Sequence, residues 1–168
     1  ESIATVTVGA GGTTTITFND IPQTYKNLHI RVLGRSTGAY TYSSLYVRPN
    51  SVSTTRYSYH SLYGDGTSAA TAGRGTAGGD TSWIAQNISG DTATANNFGS
   101  VIVDILDYAN TNKYKTVRTL GGFDANGSGE QGFFSGLWMS TAAVTSIDLI
   151  AASGNWTADS QFALYGIA

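Results

Sequence analysis

The stretch that decides the fold is Val101–Met139, which reads VIVDILDYANTNKYKTVRTLGGFDANGSGEQGFFSGLWM. Val101–Leu106 carries Val or Ile at every second position, the period of a β-strand with one buried face. Asn110-Thr111-Asn112 and Asn126-Gly127-Ser128-Gly129 are turn sequences, because Asn and Gly tolerate positive φ angles. The two turns separate three strands, so this stretch predicts an antiparallel meander.

Similar alternation continues on both sides of the meander. Ile3–Val8 and Thr14–Phe18 flank the glycine cluster Gly9–Gly12 and predict an N-terminal hairpin. The segment Thr67–Asp80 consists largely of Gly, Ala, Ser and Thr, which predicts an exposed, mobile loop. The remaining strands are predicted at Leu28–Leu33, Ser44–Arg48, Arg56–Tyr63, Ser82–Gln86, Val144–Ile150 and Gln161–Ile167.

Short strands at this spacing define the fold class. Hydrophobic residues make up 40% of the chain and aromatic residues 11%, which is enough to build a packed core in 168 residues. We predict one all-β domain over residues 1–168, a two-sheet antiparallel β-sandwich with a jelly roll as the leading topology.

Charge and cysteine content argue against several classes of partner. Charged residues are only 12% of the chain and the formal net charge is −2, with the nine basic residues scattered. Phosphate binding needs concentrated Lys and Arg, so we expect no nucleic-acid partner. The chain has no cysteine and no apolar stretch of membrane-spanning length. We therefore expect neither a disulfide framework nor a membrane partner.

Candidate catalytic residues are few. His29 and His60 belong to no recognised nucleophile or zinc motif. Asp104 and Asp107 are three residues apart, so on a strand they would point to opposite faces and make a poor acid/base pair. The sequence therefore predicts no catalytic residue and a protein that is not an enzyme.

Metal and cofactor motifs are also weak. Asp124–Glu130 has oxygen ligands at alternate positions, like a calcium loop, but its glutamate comes too early and no helices flank it. A turn between two strands explains the same residues. Gly9–Gly12 leads into a strand, so it offers no helix N-terminus for a phosphate. We expect no metal ligands and no cofactor.

Aromatic residues give the strongest signal for a binding surface. Tyr40 and Tyr42 follow Gly38-Ala39 in a predicted loop and look the most exposed, and Trp156 lies in the loop-like Gly154–Thr157. Aromatic side chains on loops can form protein contacts or platforms for sugar rings. The alternative is that they pack in the core and its rim. We take Tyr40, Tyr42 and Trp156 as candidate interface or glycan contacts.

Five segments together resemble a known group of proteins. They are Glu1–Gly9, Ile21–Tyr25, His60–Gly66, Gly136–Met139 and Phe162–Ile167, and in this order they are similar to small β-rich virion proteins of tailed bacteriophages, of the cyanophage type. The resemblance implies a location on the outer surface of a phage particle and contacts with other virion proteins, such as the major capsid protein or tail proteins. Homotrimers are common among such proteins, and the family pattern supplies no catalytic residue.

Two functions follow as expectations. The first is a capsid decoration, or cement, protein that stabilises the head surface, because the domain is self-contained and has no fibrous extension. The alternative is a tail-fibre or receptor-binding module that contacts a host-surface glycan through the aromatic residues. A polysaccharide-degrading enzyme is disfavoured, since no paired carboxylates occur at usable positions.

Overall fold

The computed structural model describes residues 1–67, 71–74 and 78–168, and the strands alternate apolar and polar side chains as expected for half-buried sheets. Within these ranges no helix is long and apolar enough to cross a membrane. The described residues form twelve strands: β1 (Ser2–Thr7), β2 (Thr15–Phe18), β3 (Asn27–Gly34), β4 (Tyr42–Pro49), β5 (Tyr57–Gly64), β6 (Thr71–Arg74), β7 (Trp83–Ser89), β8 (Gly99–Leu106), β9 (Lys115–Asp124), β10 (Gly129–Trp138), β11 (Ile147–Ala151) and β12 (Gln161–Ile167).

The strands form two sheets that face each other across one core. The large sheet has the order β1-β12-β3-β8-β9-β10-β5-β6, and the small sheet has the order β2-β11-β4-β7. Without β5, β6, β9 and β10 the two orders become β1-β12-β3-β8 and β2-β11-β4-β7, in which the chain crosses between sheets as it does in a jelly roll. The all-β sandwich expected from the sequence is confirmed, with two inserted strand pairs that widen one sheet.

The meander expected over Val101–Met139 is confirmed. Strands β8, β9 and β10 are consecutive neighbours in the large sheet, and β9 pairs antiparallel with both β8 and β10. The side chains of Val101, Val103 and Ile105 are buried in the core, as their alternation requires. At the second turn, Asn126 and Gly127 adopt positive φ angles of 60° and 100°.

The expected N-terminal hairpin is wrong. Strand β1 pairs with β12 at the edge of the large sheet, whereas β2 pairs with β11 at the edge of the small sheet. The glycine cluster Gly9–Gly12 lies in a connection that crosses from one sheet to the other. Strand β2 buries Ile16 and Phe18 in the core, and the half-buried apolar side chains of β1 pack against the same core. The alternation within each strand does not reveal which strand it pairs with.

The loop expected at Thr67–Asp80 is only partly correct. Strand β6 forms within it and pairs with β5 at the edge of the large sheet. Asp80 bridges to Tyr57 through two backbone hydrogen bonds of 3.2 and 3.3 Å. The rest of the expected mobile segment, residues 68–70 and 75–77, lies outside the described residues.

At each end of the sandwich a buried cation holds the loops between strands in place. At the end where β3 stops, here called the Arg35 end, the Arg35 guanidinium is buried. Its Nη1 donates to the carbonyl oxygens of Thr94 (2.8 Å) and Asn97 (3.0 Å), and its Nη2 to those of Asp91 (2.9 Å) and Ala93 (3.1 Å). The four acceptors belong to the β7–β8 connection, which is thereby fixed against β3.

At the opposite end, here called the Lys115 end, a buried lysine donates hydrogen bonds to loop carbonyls. Lys115 begins β9 and is completely buried. Its Nζ donates to the carbonyl oxygens of Asn110 (2.6 Å), Lys113 (3.0 Å) and Thr141 (3.2 Å). Burial, and secondarily the charge of Lys113, lower the pKa of Lys115. The β8–β9 and β10–β11 connections are joined through this one ammonium group.

Candidate functional site

Two of the three aromatic contact candidates lie at the surface. Tyr40 and Tyr42 are 68% and 51% exposed, which confirms the expected exposure. Tyr42 begins β4, and its ring stacks on that of Phe123, with centroids 6.4 Å apart and an interplanar angle of 29°. Whether either tyrosine contacts a partner stays a prediction.

The expectation of an exposed Trp156 is wrong, because its side chain is 0% exposed. Its indole Nε1 donates to the carbonyl oxygen of Leu149 (3.1 Å), and its ring meets Phe162 edge-on at 4.9 Å. Backbone bridges to Thr13 and Ser36 draw this segment between the two sheets. The surrounding sequence resembles an exposed loop, but the ring belongs to the core and cannot stack on a ligand at the surface.

His29 is held in a polar contact on the outer face of the large sheet. Its Nδ1 lies 2.6 Å from Oδ1 of Asp104, the residue opposite it on β8. Arg31 Nε donates to the His29 Nε2 at 3.3 Å. Both nitrogens of the imidazole therefore have partners within the sheet.

The other titratable candidates lie apart from this pair. Strand β8 ends at Leu106, and Asp107 has a positive φ of 48°, so strand alternation does not set its direction. Asp107 accepts a hydrogen bond from Lys113 Nζ at 2.5 Å, and this bond lowers its pKa. His60 lies on β5, opposite Ser135. The structure therefore does not bring together Asp104 and Asp107.

The acidic segment after β9 forms a turn. Asp124 Oδ1 accepts the backbone N–H of Asn126 at 2.9 Å, and Ala125 N–H donates to the carbonyl of Ser128 at 2.7 Å. Across the residues that the structure describes, no group of three or more His, Asp or Glu side chains is placed to hold a metal ion.

This turn forms one wall of a cleft of about 610 Å³ at the Arg35 end. The other wall is the Gly64–Thr67 turn after β5, and the lining includes Asp65, Asp124 and Glu130. Glu130 Oε1 accepts a hydrogen bond from Asn87 Nδ2 at 2.9 Å. Burial raises the pKa of Glu130, the Asn87 bond opposes that rise, and the nearby charge of Asp65 adds to it. The cleft is therefore acidic, and Phe123 connects it to the ring of Tyr42.

A row of apolar side chains crosses the outer face of the large sheet, and we call it the ridge. Its members are Leu62 on β5, Phe133 on β10, Leu120 on β9 and Ile102 on β8, each directly opposite the next in the strand register. Phe133 is 61% exposed, Leu62 50% and Leu120 43%, and Ile102 is half-buried. A contiguous exposed apolar patch of this kind marks an interaction surface more often than chance.

The outer face of the small sheet is different. There Thr17 Oγ1 donates to Asp148 Oδ1 at 2.8 Å, and Ser44 Oγ donates to Asn87 Oδ1 at 2.8 Å. Most of the other outward-facing side chains of this sheet are half-buried. The ridge was missed in the sequence, although Phe133-Phe134 gave a signal: adjacent residues of a strand face opposite ways, so one of the two rings had to point outward.

Comparison with protein-family models, with curated proteins and with solved structures gives no match for this chain. The resemblance to phage virion proteins therefore stays a prediction from the sequence. The structure adds two surface features that bear on function, the ridge and the acidic cleft beside Tyr42.

Proposed function

We propose that this protein is a non-enzymatic structural component of a tailed-phage particle, a capsid decoration or cement protein. The observation that supports the proposal is the ridge, which exposes apolar side chains across neighbouring strands of one sheet. Exposed apolar area of this extent is favourable once another protein surface covers it. A cement protein acts by binding other proteins, so an exposed apolar surface suits this role.

The internal hydrogen bonds and packing of the domain support the same role. Arg35 and Lys115 fix connections at the two ends, and a mainly aliphatic core with several aromatic side chains packs between the sheets. A domain that is already ordered loses little conformational freedom when it binds, so its contacts translate efficiently into affinity. The homotrimer expected from the resemblance stays a prediction.

Cryo-electron microscopy of the phage particle that carries this chain tests the proposal. We expect density for the two-sheet sandwich on the outer surface of the head, in contact with the major capsid protein. Density for the chain found on the tail alone would contradict a cement role and favour the second candidate.

That second candidate is a tail-fibre or receptor-binding module that contacts a glycan. Tyr42 favours it, because the exposed ring stacks on Phe123, which lines a cleft containing carboxylates. A sugar ring has an apolar face that can lie on an aromatic ring and hydroxyl groups that can donate to carboxylates. Trp156 has no part in this candidate, since it is buried.

Glycan-array binding separates the two candidates. The wild type is compared with Tyr40→Ala and Tyr42→Ala, and Tyr114→Ala serves as a matched control because Tyr114 is also about half exposed but lies at the Lys115 end. Binding that Tyr42→Ala alone abolishes would support the glycan module. Absence of binding by the wild type would count against it.

A further inference from the structure

The tip of the turn between β9 and β10 exposes an asparagine that is followed by a glycine. Asn126 and Gly127 are both exposed and have positive φ angles of 60° and 100°. Of all the asparagines in the chain, only Asn126 precedes a glycine. Glycine has no side chain to shield its backbone nitrogen, and no heavy atom outside the adjoining residues lies within 4 Å of the place that a Cβ of Gly127 would take. The backbone nitrogen of Gly127 is therefore open to approach by the Asn126 side chain.

The base of this turn is anchored, whereas its tip is not. Ala125 is buried, its N–H donates to the carbonyl of Ser128 at 2.7 Å, and its carbonyl accepts the Thr94 hydroxyl at 3.0 Å. Within the part of the chain that the structure describes, neither the side-chain amide of Asn126 nor the N–H of Gly127 has a hydrogen-bond partner. The peptide unit between Asn126 and Gly127 can therefore rotate without breaking a hydrogen bond.

A second asparagine with a small following residue is held very differently. Asn50 and Ser51 also have positive φ angles, 51° and 53°. The Asn50 Nδ2 donates to the carbonyl of Ala143 at 2.8 Å, and its Oδ1 accepts the backbone N–H groups of Thr145 (2.8 Å) and Ser146 (3.2 Å). A reaction of the Asn50 amide would first have to break these bonds. Of the two sites, the structure leaves only Asn126 free to react.

We propose that Asn126 is a site of spontaneous deamidation in the folded protein. The backbone nitrogen of Gly127 attacks Cγ of Asn126, so that the new N–Cγ bond closes a succinimide ring while the Cγ–Nδ2 bond breaks. The departing amide nitrogen takes up the proton that the backbone nitrogen loses and leaves as ammonia. Water then opens the ring, adding its hydroxyl to one of the two carbonyl carbons and its proton to the nitrogen. Opening at Cγ gives aspartate, and opening at the backbone carbonyl gives isoaspartate.

Either product changes the charge of the acidic cleft. The new carboxyl group has an ordinary pKa of about 3.9, so it is ionised at neutral pH. It lies on the turn that forms one wall of the cleft, whose lining already includes Asp65, Asp124 and Glu130. Isoaspartate also adds one methylene group to the backbone, but only at the tip, beyond the anchored Ala125. The modification therefore adds negative charge beside the cleft while the sandwich stays folded.

Mass spectrometry of the purified protein tests the proposal, whether or not the chain belongs to a phage particle. In warm, mildly alkaline buffer the folded protein should gain about 1 Da and one negative charge, and peptide mapping should place the change at Asn126. Conversion of Asn126 should be at least about tenfold faster than conversion of Asn50, because the Asn50 amide is released only when its surroundings open. The rate should rise with pH, since the attacking nitrogen must lose its proton. Isoaspartate among the products identifies the ring, because direct hydrolysis of the amide gives aspartate alone.

A variant that keeps an amide at the same position is the matched control. Asn126→Gln retains the amide on a longer side chain, which no longer closes the same ring, and it should not gain mass over the same period. Circular dichroism checks that this variant is folded. Intact Asn126 in the folded wild type, after a time in which the urea-unfolded chain is converted, would overturn the proposal. Earlier conversion of any other asparagine would do the same, and so would a product that contains no isoaspartate.

Discussion

The two ends of the sandwich use buried cations in different ways. At the Arg35 end a planar guanidinium donates to four carbonyls of one connection, whereas at the Lys115 end an ammonium donates to three carbonyls from two connections. Arginine presents a rigid fork of donors and keeps its charge at all accessible pH values, while lysine is a point charge that can lose a proton. In a protein without disulfides, either cation can tie down loops whose carbonyls would otherwise be unsatisfied.

The largest expected effect is at the Arg35 end. Arg35→Leu removes a donor from four carbonyls of the β7–β8 connection and leaves three of them with none, because the Thr94 carbonyl also accepts the Asn97 N–H at 3.2 Å. We expect the free energy of unfolding to fall by roughly 3–5 kcal/mol. Urea denaturation measures the change. Arg56→Leu is the matched control, because the Arg56 side chain is exposed, and it should change stability by less than about 0.5 kcal/mol. Equal losses of stability in the two variants would show that the hydrogen bonds of Arg35 do not stabilise the fold.

A smaller loss is expected at the Lys115 end. Lys115→Met keeps an unbranched apolar chain in the site and removes a charge that is costly to bury, but it leaves three carbonyls without a donor. We expect a decrease of roughly 2–3 kcal/mol in the free energy of unfolding, measured in the same urea experiment. If Lys115→Met lost more stability than Arg35→Leu, the prediction that the Arg35 end contributes more to stability would be wrong.

At alkaline pH the contributions of Lys115 and Arg35 to the free energy of unfolding should respond differently. Burial lowers the pKa of Lys115 below its ordinary value of 10.5, so just below that pH the unfolded chain binds more protons than the folded one. The contribution of Lys115 to stability therefore rises with pH in this window. Unfolding of the wild type and Lys115→Met from pH 7 to 10.5 should show a difference that grows with pH. For the wild type and Arg35→Leu the difference should stay constant, and a slope there would contradict the assignment.

The smallest effect is expected at Tyr40, whose backbone carbonyl accepts a hydrogen bond from Thr92 of the β7–β8 connection at 3.2 Å. Tyr40 lies in the same end of the sandwich, but its ring is mostly in solvent. Tyr40→Ala should therefore change the thermal unfolding temperature by about 1–2 °C at most, since surface substitutions are usually worth less than 0.5 kcal/mol. A fall of several degrees would mean that the ring is part of the packing at this end.

The fold class and several elements could be read from the sequence because they are local properties. Alternation with period two reports a strand with one buried face, and it located the meander and the last strand, Gln161–Ile167, with its observed limits. Asn126-Gly127 marked a turn that the backbone angles confirm. The exposure of Tyr40 and Tyr42 also followed from their place after Gly38-Ala39.

Other features depended on contacts between distant segments. The sequence of Gly154–Thr157 resembles a surface loop, yet Trp156 is drawn between the sheets by bridges to residues more than a hundred positions away. The roles of Arg35 and Lys115 depend on which carbonyls the connections bring to them. No local pattern distinguishes a buried arginine with four acceptors from one in solvent.

The sequence by itself determined that this chain is an all-β sandwich with a central meander, because the pattern of apolar residues along each strand is a one-dimensional property. The tertiary structure alone decided which strands join which sheet, where Trp156 lies, and how Leu62, Phe133, Leu120 and Ile102 form one ridge. The physical reason is register: side chains from separate strands become neighbours only when long-range hydrogen bonds align those strands, and the sequence of a single strand does not encode that alignment.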